Sequence, residues 1–268
     1  MNKEKIGFIG GGNICEAIIN GILKSSLLQP QNIVLYDRNE DKCEKFKQRN
    51  ITVKASESDV CKACDYLFLT VKPQSYDEVL EKIKNNIKET TVIVTVAPGI
   101  TIDYIRNMLG DNFRVLRTMP NTPALVGEGV TAYCFSKNYN EDQKAFSKEL
   151  LNSFSSAYEM NEGQLDAVIS VSGSSPAYVY MFINAIAKSA NKEGIDYATA
   201  ILMAAQTVIG SAKLLLSSDD TPQRLIEKVC SKGGTTIRAV DSLKSDDFDG
   251  IIDKAMKECT KRAIEMRK

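Results

Sequence analysis

The chain has 268 residues, 43% of them hydrophobic, enough to bury a sizeable core in one large or two ordinary domains. Its 34 Lys and Arg balance 34 Asp and Glu, so no long-range field draws it to nucleic acid or an anionic membrane, and charge-based recognition must be local. Histidine is absent, which removes the commonest metal ligand and every Ser-His or Cys-His nucleophile arrangement, so no metal site is expected.

The opening residues, MNKEKIGFIGGG, show no secretory pattern, because a short apolar run leads straight into glycines; a cytoplasmic protein is expected. KIGFIG (5–10) reads as a strand, and Ile14, Ala17, Ile18, Ile22 and Leu23 pattern the helix after it. Between them IGGGNIC matches G-x-G-x-x-G/A, with Gly10 and Gly12 in the first two positions and Cys15 in the third. The first glycine permits a tight turn, the second lets a pyrophosphate approach the backbone, and the third position needs a small side chain. Ile9, Gly10, Gly11, Gly12, Asn13 and Ile14 are therefore candidate cofactor contacts.

NIVLY (32–36) is a second strand, and its end carries conflicting signals. Asp37 could bond a ribose 2′-hydroxyl, whereas Arg38 could pair with a 2′-phosphate. Asp37 would repel that phosphate unless it turns away while Arg38 and Asn39 turn in. The reading leans to NADP, with NAD as the alternative. DKCEKFKQRN follows as a helix, and SESDVCKACDYLFL as a helix running into a strand. Cys61 and Cys64 form C-x-x-C, a pattern open to redox or metal chemistry. With no second pair and no histidine, they and Cys15, Cys43, Cys134, Cys230 and Cys259 read as ordinary reduced thiols.

DYLFLTV (65–71), TTVIVTV (91–97) and FRVLRTM (113–119) are nearly continuous apolar runs, as in strands buried on both faces of a parallel sheet. The helical patterns SYDEVLEKIKNNI and TIDYIRNML separate them, and GVTAYCF (129–135) and SAYEM (156–160) read as later strands. Two loops should line the carboxyl edge of such a sheet, where ligands bind. They contribute Thr70, Val71, Lys72 and Pro73, then Met119, Pro120, Asn121 and Thr122, the latter stiffened by two prolines. Alternating strands and helices give an α/β fold, with a Rossmann-type dinucleotide-binding domain over residues 1–162.

Residues 163–268 read as an all-helical dimerisation domain, with helices near 164–171, 175–193, 196–216, 221–229, 235–244 and 246–266. The second and third are apolar on more than one face, so a second subunit is expected to cover them. The longest apolar run, Pro176 to Ala187, carries Asn184 and falls short of the ~20 residues that span a bilayer, so no membrane partner is expected. VCSKGGTTIRAV (229–240) places two glycines before a helix start, where unpaired N–H groups can seat an anion or a threonine can cap. Ser174 and Ser175 before Pro176 look like another helix start, with serine as cap and proline near the first position.

In this order, IGFIGGGN, VKPQ, MPNTPALVGEG, VSGSSPAYVYMFI, AAQTVIGSAKLL and VCSKGGTTIRAV closely resemble the pyrroline-5-carboxylate reductase family along essentially the whole chain. Ile14-Cys15 stands where the family often has Met-Ala or Met-Gly, and Lys232 where many members have proline; neither touches a group needed for chemistry. The resemblance implies reduction of the C=N bond of 1-pyrroline-5-carboxylate by NADPH or NADH, giving L-proline in the last biosynthetic step. It also implies interlocked homodimers, which in some members build decamers. By the same resemblance the backbone N–H groups of Gly234, Thr235 and Thr236 hold the substrate carboxylate, and Ser231 and Gly233 also border the substrate. The Thr236 hydroxyl points at the ring nitrogen as the catalytic group, and Val229 and Ser175 complete the pocket. A hydroxyacid dehydrogenase or another cyclic-imine oxidoreductase is the alternative; the former would use Lys188 or Lys213, whose stems can instead snorkel to solvent.

Overall fold

The structure, a computed structural model, describes residues 4–268. Two compact units divide them: residues up to Ser174 together with Cys259–Lys268, and Ser175–Glu258.

In the first unit the strands are β1 (Ile6–Ile9), β2 (Ile33–Tyr36), β3 (Thr52–Val53), β4 (Tyr66–Leu69), β5 (Val92–Thr95), β6 (Arg114–Pro120), β7 (Gly129–Phe135) and β8 (Ser155–Glu159). They form one sheet in the order β3-β2-β1-β4-β5-β6-β7-β8. Every neighbouring pair is parallel except β6 with β7. Short parallel strands need crossovers, supplied by α1 (Asn13–Lys24), α2 (Glu40–Lys47), α3 (Glu57–Ala63), α4 (Tyr76–Ile83) and α5 (Ile102–Leu109), with α6 (Glu141–Asn152) between β7 and β8.

Side chains alternate between the two faces of each strand, so two cores flank the sheet. Phe8 and Phe68 stack 4.9 Å apart on one face, packed with Ile18, Ile22, Phe46 and Leu150 of α1, α2 and α6. Ile9, Leu67 and Leu69 face the other way, onto Val60, Leu80 and Ile105 of α3, α4 and α5. The order reverses beside β1, which pairs with β2 on one side and β4 on the other, and this opens a crevice at the carboxyl ends of those strands.

The strands and helices expected from the sequence are present within a few residues. Two elements were not anticipated. β3 is only two residues long, and α6 is mostly polar, buried through Phe146, Ser147, Leu150 and Leu151 and started by an Asn140–Gln143 capping box. The sequence changes character at 162/163, but the first unit continues to Ser174 through α7 (Leu165–Val168) and a π-turn (Ile169–Gly173). Leu165, Val168 and Ile169 pack into the core of that unit, and a buried ionic cluster ties the segment down further. Asp166, 1% exposed, accepts from Arg117 Nη2 at 2.7 Å and also pairs with Arg267, while Glu162 lies 3.2 Å from Arg117 Nη1.

The second unit holds α8 (Ser175–Lys192), α9 (Tyr197–Leu216), α10 (Pro222–Val229), α11 (Thr235–Ser245) and most of α12 (Phe248–Glu265), whose last residues belong to the first unit. Among its described residues, the buried ones are Ala187, Ala200 and Ala204. Large apolar side chains such as Met181 and Leu202 are 70% and 72% exposed. α9 corrects the reading of Pro176–Ala187 as the longest apolar run: its 20 residues, at mean hydropathy 1.5, match a bilayer-spanning segment in length and composition.

Replacing Asp166 by leucine would leave the buried Arg117 guanidinium with one of its two carboxylates. Urea unfolding of Asp166→Leu should show a loss of about 3 kcal/mol or more, and a loss below about 1 kcal/mol would mean the cluster contributes little.

Candidate functional site

The crevice between β1, β2 and β4 has a volume of about 390 Å³ and is lined by Ile9, Gly10, Gly12, Asp37, Arg38, Thr70, Val71 and Lys72, among others. Gly10 adopts φ +104°, and a Cβ there would stand 2.9 Å from the carbonyl carbon and oxygen of Thr70, so only glycine allows this approach. A Cβ on Gly12 would meet nothing within 4 Å, leaving an open cradle over the start of α1. Gly12 is the N-cap of α1 and no side chain caps that end, so the first-turn amides are free for an anion. The residues present therefore fit the pyrophosphate of a dinucleotide.

Around the loop, several expected cofactor contacts act as supports. The Thr70 hydroxyl donates toward Gly10 O (2.6 Å) and Ile9 O (3.0 Å). Asp37 Oδ2 accepts from the Gly11 amide at 2.6 Å and Oδ1 from the Asn39 amide at 2.8 Å. The Asp37 carboxylate thus clasps the glycine loop, with Lys42 Nζ 3.7 Å away. Arg38 stands exposed in the same crevice, 3.7 Å from Glu78, whose carboxyl is held below its usual range by Lys82 first and by Arg38 after it. Asn39 caps α2 by accepting from the Lys42 amide. Lys42, Ser75 and Glu78 line the crevice without having been foreseen. Lys42 alone had a readable signal, since a cap at Asn39 brings the third residue of α2 back over the end of β2.

Met119 and Pro120 are buried at the end of β6, and Thr122 is exposed beyond it. Asn121 is 7% exposed and its carboxamide is engaged at both ends: Nδ2 donates to Ser172 O at 3.0 Å, and Oδ1 accepts from the Val130 amide at 2.9 Å. Pro73 opens a short 3-10 turn after Lys72, and Asn13 and Ile14 begin α1. Cys15 is fully buried behind the glycine loop, and burial pushes its thiol pKa well up despite a lowering hydrogen bond from Thr70. Cys61 and Cys64 are free and buried; burial lifts the Cys61 thiol to about 12, so neither redox exchange nor metal binding is favoured there.

The second anion-ready feature lies in the second unit. Gly233 takes φ +73°, Gly234 is the N-cap of α11 without any side-chain cap, and its amide donates back to Ser231 O at 3.0 Å. The cap is thus glycine rather than threonine. Thr235 and Thr236 occupy the first two helical positions with hydroxyls not used for capping, Thr236 half-buried and Val229 65% exposed. α8 starts at Ser175 with Pro176 second, as expected of a Ser-Pro helix start. Lys188 and Lys213 are exposed on α8 and α9.

Comparison with known proteins supplies the context. A family model for pyrroline-5-carboxylate reductase dimerisation matches residues 162–266, and one for NADP oxidoreductase, coenzyme F420-dependent, matches residues 5–99. Over 267 residues the chain is 36% identical to a pyrroline-5-carboxylate reductase of Escherichia coli, covering 99% of both chains. It is 33% identical to a pyrroline-5-carboxylate reductase of Danio rerio, over 98% of this chain and 91% of that one. A pyrroline carboxylate reductase of Plasmodium falciparum, solved with NADP bound, superposes with a TM-score of 0.91 at 28% identity, with full coverage of both chains. That of Coxiella burnetii gives 0.92 at 30%, again with full coverage.

Gly10→Ala and Gly12→Ala separate the two roles of the glycine loop. The first should lower thermal stability and dinucleotide affinity together, the second affinity alone by about tenfold or more, read by calorimetric melting and titration. Equal melting losses in both would refute the open cradle at Gly12.

Proposed function

The chain belongs to the pyrroline-5-carboxylate reductase family, and on that premise we propose that it reduces the C=N bond of 1-pyrroline-5-carboxylate to L-proline with NADPH, as the last step of proline biosynthesis in the cytoplasm. The carrying observation is the clasp at the end of β2: with Asp37 drawn onto the Gly11 amide, Arg38 and Lys42 join Lys72 as cations lining a crevice that also holds Glu57 and Glu78. A 2′-phosphate is accommodated there by cations, so NADPH is preferred and NADH is the weaker donor. When bound, the nicotinamide supplies a hydride.

The protein's part is position and electrostatics. Gly12, Asn13 and Ile14 offer backbone amides to the pyrophosphate, while Gly10, Thr70 and Asp37 hold the loop that presents them. Val71, Lys72, Pro73, Met119, Pro120 and Thr122 border the nicotinamide half. At the start of α11, the amides of Thr235 and Thr236 hold the substrate carboxylate, with Ser231 and Gly233 beside them, while Gly234, its amide turned back onto Ser231 O, shapes the turn. The Thr236 hydroxyl orients the ring nitrogen, or relays a proton to it from water. Val229 packs on the ring, and Ser175 faces it from the start of α8. A helix N-terminus free of acidic residues in its first turn suits an anion, and α11 has none there. No histidine is needed, because the reaction asks only for a hydride on carbon and a proton on nitrogen.

The chain forms homo-oligomers through its helical unit, and we take the basic assembly to be the homodimer. The exposed apolar surfaces of α8 and α9 support a protein partner for those helices, α9 included despite its bilayer-compatible length.

Oxidation of NADPH and NADH with racemic pyrroline-5-carboxylate tests this reading directly. Arg38→Ala should raise the KM for NADPH about tenfold and leave that for NADH nearly unchanged. Thr236→Ala should lower kcat/KM by about a hundredfold with cofactor affinity intact. Rapid turnover of the Thr236→Ala variant would remove Thr236 from the site.

A further inference from the structure

The amide of Asn121 has a partner whose need for it is written in the sequence fifty-five residues away. In a continuous helix the carbonyl of Ser172 would accept from the N–H of residue 176, but that residue is Pro176, which has none. Ser172 is 7% exposed, so its carbonyl has little access to water either. Asn121 Nδ2 takes the place of the missing donor at 3.0 Å. Its Oδ1 is held by the Val130 amide, so the carboxamide cannot turn.

The segment it grips is irregular. Ile169–Gly173 is a π-turn, closed by Ser174 N donating to Ile169 O at 2.7 Å, and such turns are common where a helix is distorted for function. Two contacts from the end of α12 brace it further: Thr260 Oγ1 lies 3.2 Å from Ser170 Oγ, and Cys259 Sγ 3.3 Å from Ser174 Oγ. Asn121 itself sits directly after β6, in the loop proposed to border the nicotinamide. One buried side chain therefore joins the cofactor loop, the start of β7 and the turn that leads into Ser175.

We propose that Asn121 is a positioning residue: by donating to the Ser172 carbonyl that Pro176 leaves unpaired, it fixes the Ser174–Ser175 turn for the cyclic imine without touching the cofactor through its side chain. This rests on the reading that Ser175 faces the substrate. Loss of the tie should therefore weaken imine binding and alignment while sparing NADPH binding.

The test is a double-mutant cycle of Asn121→Ala and Pro176→Ala in the full-length oligomer, read by NADPH fluorescence titration and steady-state kinetics. Asn121→Ala should raise the KM for pyrroline-5-carboxylate about tenfold, with the NADPH Kd changed by less than about twofold. In the Pro176→Ala background the same substitution should cost about threefold or less, because residue 176 then offers its own N–H to Ser172. An equal loss in both backgrounds, a loss confined to NADPH affinity, or no loss in KM would each overturn the proposal. If Asn121→Ala does not fold, Asn121→Asp takes its place, since it keeps an acceptor for Val130 and replaces the amide donor with a carboxylate oxygen that, when ionised, cannot donate to Ser172. Wild-type turnover is the control: its absence would overturn the reductase reading, which this cycle cannot do once turnover is seen.

Discussion

The cofactor crevice depends on how closely the backbone of Gly10 passes the carbonyl of Thr70. At 2.9 Å from that carbonyl even a methyl group is excluded, and the turn is locked at a φ that other residues avoid. Once the chain turns there, α1 must start at Gly12 with its first amides facing the crevice. The Thr70 hydroxyl and the Asp37 carboxylate then secure the turn through Gly10 O and Gly11 N. Thr70 and Asp37 are thus committed to the loop, while the first-turn amides of α1 carry no side-chain cap.

The same economy recurs at Asn121 and at α11. Asn121 is placed where a contact residue would be expected, yet both ends of its amide are committed to main chain. At α11 the cap is a glycine, so neither threonine hydroxyl is consumed by the helix. Thr235 and Thr236 keep their hydroxyls out of the helix cap, and Arg38 engages only an exposed partner, Glu78. A side chain's job is decided by what else wants its atoms, and sequence position alone does not show that.

Much of the architecture was legible. Apolar runs such as DYLFLTV and TTVIVTV lie at the centre of the sheet because strands covered on both faces admit few polar residues. The glycine loop and the helix starts at Ser175 and Thr235 were legible because Gly and Pro have narrow backbone uses. α6 escaped because its exposed face is highly polar and only a short stripe is apolar. The Arg117–Asp166–Arg267 cluster escaped because its members are far apart in the chain, and charged residues ordinarily read as solvated. The conflict between Asp37 and Arg38 was visible, but the Gly11 amide that draws Asp37 away belongs to another strand-end loop. Only the fold brings the two together.

The alanine-only interior of the helical unit has a consequence for how the protein comes into being. Ala187, Ala200 and Ala204 let α8 and α9 pack closely, yet they bury little apolar area, and burial is what offsets the entropy of ordering a chain. A single copy of residues 175–258 is therefore a weakly held assembly of helices, and much of its stability must come from another copy of the chain. Association and folding are then one event for this half of the chain, whereas the sheet unit carries its own two cores. Dilution would act on the helices as a denaturant does, and a newly made chain would spend its first moments with a finished nucleotide domain and an unfinished partner beside it.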